Sequence, residues 1–199
     1  MTEPKLPKNP IEHFDTIFAE AKRTVTTDPT AMVLSTCTFD GRPSSRVVLL
    51  KHVTPSGFTF FTNYFSRKSR ELDENKFAAL CFYWPEINKQ IRIEGTVKQV
   101  PPAVSDEYFA SRPRESQLGA WASDQSQPLP NRGILLKRFK EFEKKYEGQP
   151  VPRPPYWGGF LLRPTSIEFW TNVDHRLHDR FLYTWDDLTE SWTIQRLNP

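Results

Sequence analysis

The sequence predicts a mainly β chain with helices, an α+β protein built around a small β-barrel. Three observations carry that expectation. Apolar residues alternate with period two in short runs, among them residues 31–39, 58–63 and 77–84. Tight-turn signals such as Asp40-Gly41 and Pro55-Ser56-Gly57 separate those runs. Helical spacing is confined to inserted segments, and neither GxGxxG nor GxxxxGKS/T occurs, so neither a doubly wound dinucleotide fold nor a Walker phosphate loop is supported.

Taken in order, residues 1–10, with Pro4, Pro7 and Pro10, read as a flexible N-terminal tail, and 11–199 as one domain. Residues 11–26 place Phe14, Ile17, Phe18 and Ala21 at helical spacing, and Asp28-Pro29 ends that helix. A strand over 31–39 turns at Asp40-Gly41 into a hairpin partner over 44–53. A third strand covers 58–63. A short helix over 66–75 follows, with Ser66 in the N-cap position. Strands over 77–84 and 89–99 flank a turn at Pro85. After Pro101-Pro102 the pattern becomes helical. Residues 112–132 read as polar and irregular, with one helical turn near Gln117, and 133–146 as a charged helix. A stiff connector over 150–155 leads to strands near 160–171, 180–185 and 192–197.

Composition narrows the function classes. With 37% apolar and 26% charged residues, the chain is globular in type, and no apolar run approaches the ~20 residues that span a bilayer. Met1-Thr2-Glu3-Pro4-Lys5 lacks a signal-peptide pattern, so a cytoplasmic location with no membrane partner is expected. A net charge of +3 suits small phosphorylated ligands and lacks the basic stripe of a nucleic-acid binder. Cys37 and Cys81, without CxxC spacing, read as buried, reduced thiols.

Several groupings could carry chemistry. Arg46 and Lys51 bracket the apolar run Val47-Val48-Leu49-Leu50. Their opposite strand parity sends them to opposite faces unless a bulge intervenes. They are either solvated strand ends or anion contacts near a sheet edge. Ser66-Arg67-Lys68 opens a helix straight after Thr62-Asn63, which is either a capped surface turn or a phosphate seat. Tyr108, Arg112 and Ser116, each four apart, offer a phenol, a guanidinium and a hydroxyl to one phosphate, but Pro113 makes convergence depend on the loop. Gln90, Gln125-Ser126 and Trp170 could border a heteroaromatic ring. The run His175-Arg176-Leu177-His178-Asp179-Arg180 is either a charged hairpin tip or one wall of an anion site. Two histidines without a third ligand make a poor zinc site, so no metal is expected.

Together these runs resemble the pyridoxine (pyridoxamine) 5′-phosphate oxidase family. The resemblance rests on Arg46-Val47-Val48-Leu49-Leu50-Lys51-His52, on Ser111-Arg112-Pro113-Arg114-Glu115-Ser116-Gln117-Leu118-Gly119-Ala120-Trp121, and on Tyr156-Trp157-Gly158-Gly159-Phe160. It also rests on His175-Arg176-Leu177-His178-Asp179-Arg180-Phe181 and the ending Arg196-Leu197-Asn198-Pro199. It runs in order from about residue 10 onward. Phe61 departs from the family's usual tyrosine, and Thr171-Asn172-Val173 from a glycine-richer turn.

The resemblance implies an FMN-binding split β-barrel, a homodimer with FMN at the subunit interface. Arg46, Val47, Val48, Leu49, Leu50, Lys51, Phe61, Thr62, Arg67, Lys68, Gln90, Gln125, Ser126, Trp170 and Arg180 would bind FMN, some from the second subunit, with Arg67 and Lys68 at its phosphate. Lys51, Tyr108, Arg112 and Ser116 would grip the substrate phosphate, and Arg176, Leu177 and His178 would line the pyridine ring. Arg176 and His178 are the implied catalytic residues, and Asp28 a lesser candidate. The implied reaction oxidises pyridoxine 5′-phosphate or pyridoxamine 5′-phosphate to pyridoxal 5′-phosphate. O₂ is the electron acceptor, H₂O₂ is released, ammonia leaves from the amine, and the step completes B6 cofactor synthesis or salvage. The rival expectations are a split barrel that binds FMN, or pyridoxal phosphate itself, without turnover and a nucleic-acid-binding barrel.

Overall fold

The computed structural model describes residues 5–199. Of the expected tail, residues 1–4 lie outside the described residues, and the Tyr183 hydroxyl donates to the Pro7 carbonyl at 2.9 Å. Helix α1 (Pro10–Thr24) starts where Asn9 accepts from the Ile11 amide at 2.9 Å, with proline in the first turn where no amide donor is missed. Its apolar stripe drives Phe14, fully buried, against Phe58 and Phe82 at 4.9 and 5.2 Å between ring centroids. Burying such a ring contributes roughly 1.5–3 kcal/mol, which fixes α1 across the barrel far better than its helix propensity could.

One antiparallel sheet curls through the molecule. Its strands are β1 (Ala31–Cys37), β2 (Pro43–Leu49), β3 (His52–Thr54), β4 (Gly57–Asn63), β5 (Phe77–Trp84), β6 (Lys89–Gln99), β7 (Trp157–Thr171), β8 (Asp179–Asp186) and β9 (Ser191–Leu197). The order is β2-β1-β5-β6-β7-β4-β3, with β8 on β7 and β9 on β8. Strand β7 is where the barrel splits. Residues 157–162 pair with β4, whereas 166–171 pair with β8. The changeover lies at Pro164, beside a register shift at Glu94/Gly95 in β6. A Cβ on Gly95 would sit 2.0 Å from the Arg163 carbonyl oxygen, so only glycine lets the two strands close there.

Among the described residues five α-helices decorate the sheet: α1, α2 (Arg67–Glu74), α3 (Pro102–Ser111), α4 (Arg114–Ala122) and α5 (Arg132–Lys145). The expectation of an irregular 112–132 segment is corrected by α4. Pro113, read as a terminator, occupies the N-cap position of the next helix, where its fixed φ is favourable. A second apolar cluster of Phe109, Leu118, Tyr146, Val151 and Trp157 holds these helices to the start of β7. No helix among the described residues is long and apolar enough to cross a membrane.

Candidate functional site

A cavity of about 970 Å³ opens between β2, the end of β4, the start of α2 and the α3–α4 corner. That volume sits at the large end of the roughly 300–1,000 Å³ common for ligand sites and accommodates more than one ring system. Strand β2 supplies Arg46, Val47, Val48 and Leu49, and Lys51 joins them. The parity conflict between Arg46 and Lys51 is resolved by a break in the strand. The Leu50 amide still donates to Thr30 beside β1, whereas the Lys51 amide donates to Thr59 on β4, each at 2.9 Å. The chain thus crosses from one half of the barrel to the other in a single residue. Leu50 turns into the core, 3% exposed, and is the one residue of that run that does not line the cavity.

Phe61, Thr62, Arg67 and Lys68 form the second wall. Ser66 occupies the N-cap position of α2 but makes no capping bond, because its hydroxyl accepts from Lys68 Nζ at 3.0 Å and pairs with Ser69. Lys68 Nζ also donates to Thr62 Oγ1 at 3.0 Å and to Gln125 Oε1 at 3.5 Å, which ties the loop after α4 to the seat. Burial, reinforced by the neighbouring Arg46 charge, pulls the Lys68 amine down to about 8. An amine so held gains most from an anion within reach.

Glu71, missed in the sequence, lies behind this wall. It is 3% exposed and accepts from Arg67 Nε at 2.8 Å, Ser44 Oγ at 2.5 Å, Arg46 NH2 at 3.4 Å and the Thr36 hydroxyl. Burial alone would raise its carboxyl, but the Ser44 and Thr36 hydroxyls and the Arg67 guanidinium overcome that and hold it at about 2. Its i,i+4 spacing from Arg67 was the available signal.

The third wall carries Tyr108, Arg112 and Ser116, which do converge despite Pro113. Phe61 stacks on Tyr108 at 4.1 Å and on Trp157 at 5.5 Å, and the Arg112 guanidinium lies over the Trp157 ring at 4.6 Å. A Cβ on Gly159 would approach the Phe61 ring at 2.7 Å, so glycine here keeps that stack in place. Arg112 NH1 is buried with no hydrogen-bond partner among the described residues. Burial draws the Arg112 guanidinium below its ordinary value. Cation–π contact contributes about 2 kcal/mol in a desolvated pair, short of several kcal/mol for a desolvated charge. The arrangement is that of an anion receptor.

The remaining expected residues lie elsewhere. Gln90, Trp170 and Arg180 are cross-strand neighbours on β6, β7 and β8. Arg180 donates to both Glu168 oxygens at 2.9 and 3.1 Å and to the Asn198 carbonyl at 2.9 Å. The His178 ring packs 4.7 Å from Trp170, and its Nδ1 accepts from the Val173 amide at 3.2 Å. His175 and Arg176 both adopt left-handed backbone, φ 59° and 62°, which is strained for side chains of this size. Arg176 and Leu177 are exposed. Asp28 caps its own loop by accepting from the Thr30 amide and hydroxyl at 2.9 and 2.6 Å.

Fold and cavity together define a split β-barrel with a cationic, aromatic-walled ligand site. A family model described as pyridoxamine 5′-phosphate oxidase matches residues 18–146, and one described as the pyridoxine 5′-phosphate oxidase C-terminal dimerisation region matches residues 157–199. A pyridoxine/pyridoxamine 5′-phosphate oxidase of Myxococcus xanthus is 52% identical over 98% of this chain and 93% of its own length. One from Rubrobacter xylanophilus is 52% identical over 96% of this chain and 87% of its own. Among solved structures, PhzG from Burkholderia lata, crystallised with tetrahydrophenazine-1-carboxylic acid, is 33% identical with a TM-score of 0.92, covering 100% of this chain and 98% of that one. An FMN-binding protein from Nostoc punctiforme shares the fold at 19% identity, with a TM-score of 0.75 and coverage of 96% and 97%. The chain belongs to the pyridoxine/pyridoxamine 5′-phosphate oxidase family of enzymes.

Proposed function

We propose that this protein is an FMN-dependent oxidase that converts pyridoxine 5′-phosphate or pyridoxamine 5′-phosphate to pyridoxal 5′-phosphate. Residues 11–199 act as one domain, in a cytoplasmic homodimer. The observation that carries the reading is Arg112 NH1, buried and unpartnered on the wall of a cavity that also presents Lys51, Tyr108 and Ser116. Those groups suit a phosphate dianion on the substrate. They favour a phosphorylated ring over a carboxylate compound such as the ligand of PhzG.

The opposite wall fits a second phosphate. Arg67 and Lys68 would hold that of FMN, with Arg46, Thr62, Gln125 and Ser126 beside it and the apolar run of β2 against its ring. When bound, FMN supplies the two-electron acceptor, which O₂ regenerates with release of H₂O₂. Anchoring the substrate phosphate away from the reacting carbon provides binding energy that orients the ring. Arg176 would then stabilise charge at that carbon, and His178 would hold or move a proton at the substrate oxygen or nitrogen.

Arg176, His178, Trp170, Gln90 and Arg180 would reach the cavity from a second subunit. Support comes from the register. Tyr83, Gln90, Trp170 and Arg180 form one cross-strand row, and Val47, Val33 and Cys81 a parallel one, so both sets share a single outer sheet face. That face exposes Val33 at 38%, Val47 at 64%, Leu49 at 38% and Tyr83 at 62%. A two-fold contact across it covers this apolar surface and sets each partner's 170–180 region against the other's β2. The two free thiols, half-buried rather than buried as expected, accord with a reducing compartment.

The test is reconstitution. Purified protein should take up FMN, turn yellow, and release one H₂O₂ for each pyridoxal 5′-phosphate formed. Protein that stays colourless with FMN, or binds it and forms no aldehyde, overturns the reading.

A further inference from the structure

Three cations crowd one corner of the cavity, Arg46, Arg67 and Lys68, where the Arg67 charge helps lower Arg46 and the Arg46 charge helps lower Lys68. Nothing in the proposed chemistry uses Glu71, yet it is the buried carboxylate around which two of the three are arranged. Its Oε2 faces Arg46 directly at 3.4 Å. Two hydroxyls also bridge the pair. Thr36 Oγ1 accepts from Arg46 NH1 at 2.6 Å and donates to Glu71, while Ser44 accepts from Arg46 NH2 and donates to Glu71 at 2.5 Å. With NH1 also donating to the Leu34 carbonyl at 3.2 Å, both terminal nitrogens of Arg46 are committed inside the protein.

Arg67 is held differently. Only its Nε is taken, by Glu71 Oε1 at 2.8 Å, and among the described residues no partner is found for its NH1 or NH2. A guanidinium gripped at Nε has its fork fixed in direction while the two terminal nitrogens stay available for a bidentate anion. Arg67 lines the cavity and its side chain is 59% exposed, so its two terminal nitrogens, unpaired among the described residues, are open at the cavity.

We propose that Glu71 is a positioning residue for the cofactor phosphate. It anchors Arg46 as a fixed background charge and aims the free fork of Arg67, beside Lys68, at the incoming phosphate. The inference rests on the reading that FMN occupies this wall. It assigns the phosphate contact to Arg67 and Lys68, and a supporting, charge-balancing place to Arg46.

Comparing FMN with riboflavin tests it, because the two differ by the phosphate alone. Full-length protein stripped of flavin is titrated with each by fluorescence quenching, as wild type, Glu71→Gln and Glu71→Leu. Glu71→Leu should weaken FMN by about tenfold or more, the scale of losing an aligned charge-assisted contact, and Glu71→Gln, which keeps an acceptor for Arg67 Nε, by about threefold. Riboflavin affinity should stay within about twofold for both, since hydrogen bonds to the ring do not pass through Glu71. Equal losses for FMN and riboflavin would reduce Glu71 to a structural residue and overturn the proposal. So would unchanged or tighter FMN binding, which would mark the carboxylate as a mere like charge. If Glu71→Leu fails to fold, the FMN-to-riboflavin ratio of Glu71→Gln decides alone. A wild type with no preference for FMN over riboflavin overturns the flavin-phosphate reading itself, an outcome distinct from a wild-type preference that the variants retain.

Discussion

The cavity wall built from β2, α2 and the α3–α4 corner differs in kind from the strip carrying Gln90, Trp170, Arg176, His178 and Arg180. In the first, polar groups are cross-linked by hydrogen bonds, ion pairs and ring contacts, and Lys68 and Glu71 are buried. Lys68 is held by Ser66, Thr62 and Gln125, Arg67 by Glu71, and Arg112 by the Trp157 ring. In the second, Arg176 and Leu177 lie exposed on a left-handed turn, and polar anchorage comes from Arg180 on Glu168 and Asn198 and from His178 on the Val173 amide. On the proposed reading, the first is the half of the receptor that one chain carries, and the second lies on the face that a partner would cover. The difference is what the proposal of two sets completing each other across a two-fold axis requires.

Mixing variants breaks or sharpens that comparison most strongly. Arg112→Ala should raise the KM for pyridoxine 5′-phosphate by roughly 100-fold, as removal of a buried charge-assisted contact does. Arg176→Ala should lower kcat by roughly 100-fold, the scale of one lost electrostatic donor at the reacting centre. If the halves come from different subunits, co-refolding the two inactive variants yields hybrid dimers with one doubly damaged site and one intact site. About a quarter of all sites should then regain wild-type behaviour. If both residues served the same subunit's site, mixing would restore nothing, and the two-half reading would fall.

Val47→Asp tests the covering face with a smaller effect. Val47 is 64% exposed, so a carboxylate there costs the isolated chain little. Buried against a two-fold copy, it should weaken FMN binding by about 30-fold and shift sedimentation toward monomer, because an unpaired charge is desolvated. A variant that remains dimeric and yellow would exclude this face.

Much of the arrangement was legible in the chain. Period-two runs located the strands, and the family-like blocks located most cavity residues. What escaped depended on contacts far apart in sequence. Glu71 reads as one more helix carboxylate until Thr36 and Ser44, 35 and 27 residues away, close over it. Leu50 belongs to a matching block, yet the hop between β1 and β4 points it into the core. Helix α4 was hidden because Pro113 both ends one helix and begins the next. The resemblance implied that some side chains come from a second subunit, but motif order carries no information about which copy of the chain contributes which side chain.

The smallest expected effect concerns pH and acts on the completed half alone. In the free protein the Lys68 amine, lowered to about 8 by burial and by Arg46, loses its charge as pH rises through that value. A bound phosphate restores the charged form toward the ordinary lysine value of 10.5, so binding takes up a proton between those limits. FMN affinity should be flat from pH 7 to 8 and then fall by at most about tenfold per pH unit. Folding responds with the opposite sign. The unfolded chain keeps that proton above pH 8, so the contribution of Lys68 to stability rises with pH over the same window. Titrations and thermal melts of the flavin-free protein from pH 7 to 9.5 should therefore slope in opposite directions. Lys68→Met should flatten both. If FMN affinity and stability fell together, general alkaline loosening would account for the profile, and Lys68 would not be the group that meets the phosphate.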